Sequence, residues 1–338
     1  IMHPEGFDLL HGDVSILSHR NDAPAISIGM GRPDMEMVRG NFRIDDIVHT
    51  QLPLDCCTED NGAVRLWNSA HPDVILAFLL VQESHRSVVK MRCTDHMINR
   101  IWLKMQCADT EAFWGGGEQM SYFQLNGRRF PMWTSEPGVG RDKSTELTRQ
   151  MDELGMAGGD YWNTNYPQPT FLTSRWLAMH LDAGCYSVLD FTDPAAHCVE
   201  VWSKCARFEL FAEEGPQALV GALSNRFGRQ PPLPDWAIGG AIIGLKDGVN
   251  SFERLEHFIA AGAAVSGLWC EDWAGIRETS FGRRLFWDWR RDNQRFPDLP
   301  ERLTWPGELR AHWPLVLTSC LGMALAAVGV ALASRKAA

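Results

Sequence analysis

The 338-residue sequence is 45% hydrophobic and 22% charged, with a net charge of −10. That balance is ordinary for a folded chain long enough for two domains, and it excludes general disorder. It also argues against a nucleic-acid partner, which needs a basic face to neutralise phosphates.

Nine cysteines are scattered along the chain, with Cys56 and Cys57 adjacent and no C-x-x-C pair. They read as reduced thiols in a cytoplasmic setting rather than as a disulfide frame or a zinc site. The histidines are dispersed, and neither a metal nor a cofactor is expected. The opening IMHPEGFDLL has no basic segment followed by an apolar run, so it does not read as a secretory signal. Fourteen tryptophans are many. They suit sugar-stacking sites and large cores equally.

From Phe7 to about Phe211 the chain shows short alternating apolar runs between turn residues: AISIGMG, VILAFLLVQ, SVVKMRC, YSVLDF and RFELFA. Period-two runs of this kind predict an all-β sandwich. One helix is expected near Asp95–Gln106, where Met97, Ile98, Ile101, Trp102 and Met105 mark one face. The glycine-rich FWGGGEQ and EPGVGRD fit neither a phosphate loop nor a dinucleotide fingerprint. They read as loops that use glycine's backbone freedom. Glu118, in the first of them, reads more readily as a structural hydrogen-bonding group than as a functional one. GGDYWNTNYPQPT, 158–170, is aromatic and amide-rich, as sugar sites and turns both are.

The prolines of RQPPLPDW, 229–236, mark a domain joint. Beyond them the order is strand AIGGAIIGL, helix SFERLEHFIAAGA with Ser251 as a partial cap, and strand VSGLWCEDW. Strand–helix–strand predicts a parallel pair, the start of an α/β barrel. The domains are therefore expected at 1–228 and 235–300, with an apolar tail at 313–338. Leu315–Ser334 has no charge and is followed by Arg335 and Lys336. It reads as a membrane span, as a buried alanine-rich helix, or as a tail foreign to the fold, for instance after a frame change in the gene.

Candidate site residues follow from barrel geometry, in which strand carboxyl ends carry the site. Lys246 ends the first strand, in IIGLKDG. Glu271 ends the second and shares a face with Trp269 and Trp273, while Asp272 points the other way. An ammonium and a carboxylate there serve sugar hydroxyls as donor and acceptor. The plain alternatives are a solvated loop lysine and a surface acid. In SFGRRLFWDW, Arg284 and Trp287 lie three apart and share a face if the segment is a helical turn. A guanidinium and an indole N–H offer only donors and suit a sulfonate or phosphate. The alternative is an arginine stacked on tryptophan at the surface.

The strings GGGEQMSYFQLNGRRFPMWTSEPGVGRD, GGDYWNTNYPQPTFLTSR, ALSNRFGRQPPLPDW, IIGLKDGVNSF and GLWCEDWAGIRETSFGRRLFWDW together resemble the sulfoquinovosidases of glycoside hydrolase family 31. The likeness runs from about Phe113 to Asp298. It implies an amino-terminal β-sandwich of galactose-mutarotase type followed by the first units of a (β/α)8 TIM barrel. It further implies a retaining α-glycosidase whose small anionic substrate is a sulfoquinovoside, a sugar with a sulfonate on carbon six. By that resemblance the R-x-x-W motif, here Arg284 and Trp287, holds the sulfonate, and Lys246 and Glu271 bind sugar hydroxyls.

Members of that family use two aspartates on later barrel strands. After Pro297–Asp298–Leu299 this sequence turns instead to its apolar tail, so the reading is of a carboxy-terminally truncated member with no catalytic residue assigned. Two strands cannot close a barrel, and AIIGL and VSGLW are expected to be partly bare. A general α-glucosidase of the same family and a non-catalytic sugar-binding protein tethered to a membrane by its tail remain the alternatives. Membrane association is expected only if that tail is genuine.

Overall fold

A computed structural model describes residues 1–303 and 315–316, except positions 12, 13, 39, 40, 84, 109, 155, 157, 281 and 287. The chain forms two compact units, Ile1–Arg229 and Gln230–Ala338.

The first unit is built on two antiparallel sheets, of six and eight strands. The six-stranded sheet runs Arg129–Pro131, Ser187–Asp190, Ala196–Val201, Arg100–Gln106, Ile26–Val38, Asn41–Pro53. The eight-stranded sheet runs Phe113–Gly117, Pro167–Thr173, Leu177–Leu181, Cys205–Ala212, Arg86–Cys93, His71–Glu83, Ala63–Asn68, Cys56–Asp60. Alternate residues of both sheets meet in one core, with Ile28, Leu103 and Val199 from one and Phe78, Met91 and Phe208 from the other. Phe191 lies tilted against Phe113, ring centres 4.8 Å apart, and meets Phe171 edge-on at 5.3 Å. Each buried phenylalanine contributes about 1.5–3 kcal/mol, as does each of the aliphatic side chains around it.

The helix expected at Asp95–Gln106 is a strand, Arg100–Gln106. It pairs on one side with Ile26–Val38 and on the other with Ala196–Val201. Ile101, Leu103 and Met105 are buried at a spacing of two, and Met97 is exposed. Ladder partners on both edges override a helical pattern that the same apolar residues also satisfy. The first glycine-rich stretch is likewise a strand, Phe113–Gly117, with a register shift between Gly115 and Gly117. Gly117 has φ +85, and a Cβ there would lie 2.2 Å from the Tyr166 carbonyl oxygen. Only glycine fits that approach. Glu118 is exposed, and its backbone N–H donates to Tyr166. The amide-rich 158–170 stretch spends polar groups on its own turns: Asn163 Oδ1 accepts the Asp160 N–H, and Arg141 donates to the carbonyls of Tyr161 and Asn163.

Helix Pro216–Phe227 closes the first unit. Pro216 starts it and Gly228, at φ 87, ends it. Leu219 and Ala222 pack on Ala178 and Phe211 of the eight-stranded sheet.

The second unit begins with a short helix, Asp235–Gly239, where a strand was expected to start. Strand Ala241–Leu245, helix Asn250–Ala260 and strand Val265–Cys270 follow, and the two strands are parallel, with Leu245 beside Cys270. Ser251 lies inside the helix, not at its cap, and its hydroxyl accepts the Asp247 N–H at 3.0 Å. Phe252 and Leu255 pack with Leu245, Leu268, Phe296 and Leu299. On the strand's other side Ile242 is 42% exposed. Leu315–Val316 adds a short third parallel strand beside Leu268 and Trp269. The rest of the apolar tail, and with it the membrane-span reading, lies outside the described residues. Among the described residues no helix is long and apolar enough to cross a membrane.

Candidate functional site

The parallel register that ends at Leu245 and Cys270 brings the next residue of each strand, Lys246 and Glu271, side by side. The Glu271 N–H donates to the Leu245 carbonyl at 3.1 Å, extending the ladder one step. Lys246 Nζ lies 3.6 Å from Glu271 Oε2, with the side chains 70% and 29% exposed. A pair so open to water adds little to stability. Its donors and acceptors remain available to a ligand.

Glu271 and Asp272 differ sharply in surroundings. The strand ends at Cys270, and both acids sit in the turn after it, not within the strand as the sequence suggests. Asp272 is 0% exposed. Its Oδ2 accepts the Gly248 N–H at 3.1 Å and the Arg295 Nε at 3.0 Å, and Arg295 Nη2 reaches the same oxygen. It is neutralised inside the fold and cannot act as a free acid opposite Glu271. Trp269 and Trp273 lie on either side of the two acids, and neither indole N–H has an acceptor among the described residues. Trp273 lies 6.2 Å from Trp289, ring to ring.

Arg284 is not on a helical turn. It belongs to the hairpin Ile276–Thr279 and Gly282–Leu285, where Gly282 takes φ +86 as the chain reverses. In the register Arg284 stands opposite Arg277, while Arg283 pairs with Glu278 at 3.1 Å. Arg284 is exposed and donates to the Arg283 carbonyl at 3.2 Å. Among the described residues it makes no ion pair. Trp287 lies outside the described residues. The structure thus brings Lys246 and Glu271 together and sets Arg284 on the hairpin that follows them. Sequence reasoning missed the Gly248–Asp272–Arg295 linkage. Arg295 is 23 positions from Asp272, and no local pattern announces such a pair.

No family model matches the chain. Two curated relatives do. A sulfoquinovosidase of Agrobacterium fabrum is 50% identical over 299 residues, covering 88% of this chain and 44% of that protein. A sulfoquinovosidase of Escherichia coli is 37% identical over 292 residues, covering 85% and 43%. Among solved structures, a GH31 family sulfoquinovosidase from E. rectale in complex with an aza-sugar inhibitor superposes with a TM-score of 0.82 at 38% identity. It covers 93% of this chain and 47% of its own. A GH31 dextranase of Flavobacterium johnsoniae, at 10% identity and a TM-score of 0.51, shares the fold alone. The chain spans less than half the length of the curated relatives it matches. With half of the 299 aligned residues identical to one sulfoquinovosidase, over 88% of its length, the chain belongs to glycoside hydrolase family 31.

Proposed function

We propose that this chain carries sugar-recognition elements of a retaining α-glycosidase that acts on sulfoquinovosides. The observation that carries the reading is the Lys246–Glu271 pair, 3.6 Å apart at adjoining ends of two parallel strands. In this reading those strands open a (β/α)8 barrel, and the first unit is the sandwich that precedes it. The ammonium donates to one sugar hydroxyl and the carboxylate accepts from its neighbour. Arg284, with no ion pair among the described residues, joins Trp287 in holding the sulfonate by charge-assisted hydrogen bonds. The names of the two curated relatives support this substrate class.

Retention requires two carboxylates about 5–5.5 Å apart across the glycosidic bond. Glu271 has no such partner in Asp272, which Arg295 has taken. The reading therefore assigns binding, not bond cleavage, to these residues. The test is calorimetric titration of the 338-residue polypeptide with free sulfoquinovose and with glucose, beside a turnover assay on a 4-nitrophenyl sulfoquinovoside. Sulfoquinovose should bind at least about 10-fold tighter than glucose, and Arg284→Ala should level the two sugars, since a hydrogen bond to a charged group contributes about 1.5–3 kcal/mol. Lys246→Met should weaken both sugars without lowering the melting temperature. Equal binding of both sugars by the unaltered chain would turn the assignment to a general α-glucosidase. Measurable turnover would refute the restriction to binding.

A further inference from the structure

The Lys246 side chain is mostly solvated and that of Glu271 partly so, so their meeting depends on how their backbones are held. Two hydrogen bonds do this, one on each side of Lys246. Before it, the Leu245 carbonyl accepts the Glu271 N–H at 3.1 Å. After it, the Gly248 N–H donates to Asp272 Oδ2 at 3.1 Å. The short loop Lys246–Asp247–Gly248 is thereby fastened at both ends to the turn that presents Glu271.

The second fastening is itself secured. Arg295 reaches Asp272 Oδ2 with Nε and Nη2, and the Cys270 thiol lies 3.7 Å from Oδ1. The Arg295 N–H donates to Asp292 Oδ1 at 3.0 Å, and the Asp292 N–H donates to the Trp273 carbonyl at 2.9 Å. Gly248 has φ +58, and a Cβ there would come within 3.4 Å of the Arg295 carbonyl oxygen. Three separate stretches, 246–248, 271–273 and 292–295, are stitched around one buried carboxylate. A buried carboxylate with a fork and a backbone donor has one geometry, and it imposes that geometry on the loop.

We propose that Asp272, secured by Arg295, is a positioning residue that sets Lys246 against Glu271 and so tunes sugar recognition. This rests on the functional reading above. Of two adjacent acids, Glu271 faces the ligand and Asp272 holds the frame.

The test uses two readouts on the full chain. The first is trace acetylation of Lys246, followed by mass spectrometry, which needs no sugar. The second is titration with free sulfoquinovose. Asp272→Asn should raise Lys246 acetylation about two- to five-fold, to the level of Glu271→Gln, and the double variant should go no higher. It should weaken sulfoquinovose about 10-fold in the unaltered chain but less than about 2-fold in a Lys246→Met background. Arg295→Lys, which keeps a cation and loses the fork, should fall between on both readouts and stands in should Asp272→Asn not fold. Unchanged Lys246 acetylation in both variants would overturn the proposal, as would equal losses of sugar affinity in both backgrounds. If acetylation responds while the unaltered chain binds no sulfoquinovose, the positioning role stands and the substrate reading falls.

Discussion

Arg226 grips Glu209 with two donors, Nε to Oε2 at 2.6 Å and Nη2 to Oε1 at 3.0 Å. Arg226 belongs to helix Pro216–Phe227 and Glu209 to strand Cys205–Ala212, so one ion pair fastens the helix to the eight-stranded sheet. Arg207 donates to the same carboxylate, and Arg86 lies 3.5 Å from it. Burial pushes the Glu209 carboxyl up, but the Arg226 and Arg207 hydrogen bonds outweigh it and lower the value from 4.5 to about 2. A depressed carboxyl gives stability that is complete above its unfolded value and lost as pH falls through its folded one. The chain should therefore lose urea resistance between about pH 5 and pH 2. Glu209→Gln should cost about 3 kcal/mol at neutral pH and flatten that acid loss. An unchanged acid limb in Glu209→Gln would show that other carboxylates govern it.

The pairing of Cys107 Sγ with His197 Nδ1 at 3.2 Å has the outline of a nucleophile and its base. Its electrostatics oppose that role. Burial lowers His197 to about 3, with Arg175 adding to the effect, so the ring stays neutral at working pH. Burial, and then the charge of Glu111, push the Cys107 thiol up to about 11. Burial likewise pushes Cys198 and Cys270 up to about 12. Reactivity follows the thiolate fraction and access. Iodoacetamide at about pH 8 should modify the exposed Cys205 first, with Cys107, Cys198 and Cys270 slower by at least about 100-fold. Peptide mapping over time reads this directly. Early alkylation of Cys107 would mean that His197 is charged and the pair is active.

Much of the first unit is legible in the sequence because its core residues alternate. Phe208 and Leu210, or Leu76 and Phe78, are buried at a spacing of two. Arg100–Gln106 misleads because Met97, Ile98, Ile101, Trp102 and Met105 also fit a helix. The deciding fact is the pair of strands on either side, which lie far away in sequence. The proximity of Lys246 and Glu271 follows from parallel pairing, which the strand–helix–strand order implies. That Glu271 and Asp272 differ in surroundings is expected from strand alternation. What holds Asp272 is not, because Arg295 lies 23 positions away in sequence. The hairpin around Arg284 is hidden for a similar reason: a spacing of three signals a shared face only once a helix is assumed, and Gly282 bends the segment into strands instead.

Gly275 tests how tightly that frame is packed. It has φ +100, and a Cβ on it would sit 2.8 Å from Asp292 Oδ2. Its N–H donates to the Asp272 carbonyl at 2.9 Å, and its own carbonyl accepts the Phe286 N–H at 2.9 Å. Asp292 Oδ1 in turn receives the Arg295 N–H. Gly275→Ala meets two penalties, a backbone conformation unfavourable to L-residues and a carboxylate that must move. Gly62, at the Asn61–Gly62 hairpin turn, separates them. It has φ +81 and nothing within 4 Å of a built Cβ. Gly62→Ala should cost about 1 kcal/mol for the backbone alone, and Gly275→Ala about 2–3 kcal/mol. Urea midpoints of the two variants measure the difference. Near-ultraviolet circular dichroism should change only for Gly275→Ala, because Asp292 steadies the turn that carries Trp273, whose ring lies 6.2 Å from that of Trp289. Equal costs, with both spectra unaltered, would mean that Asp292 yields freely and the frame around Asp272 is looser than its hydrogen bonds imply.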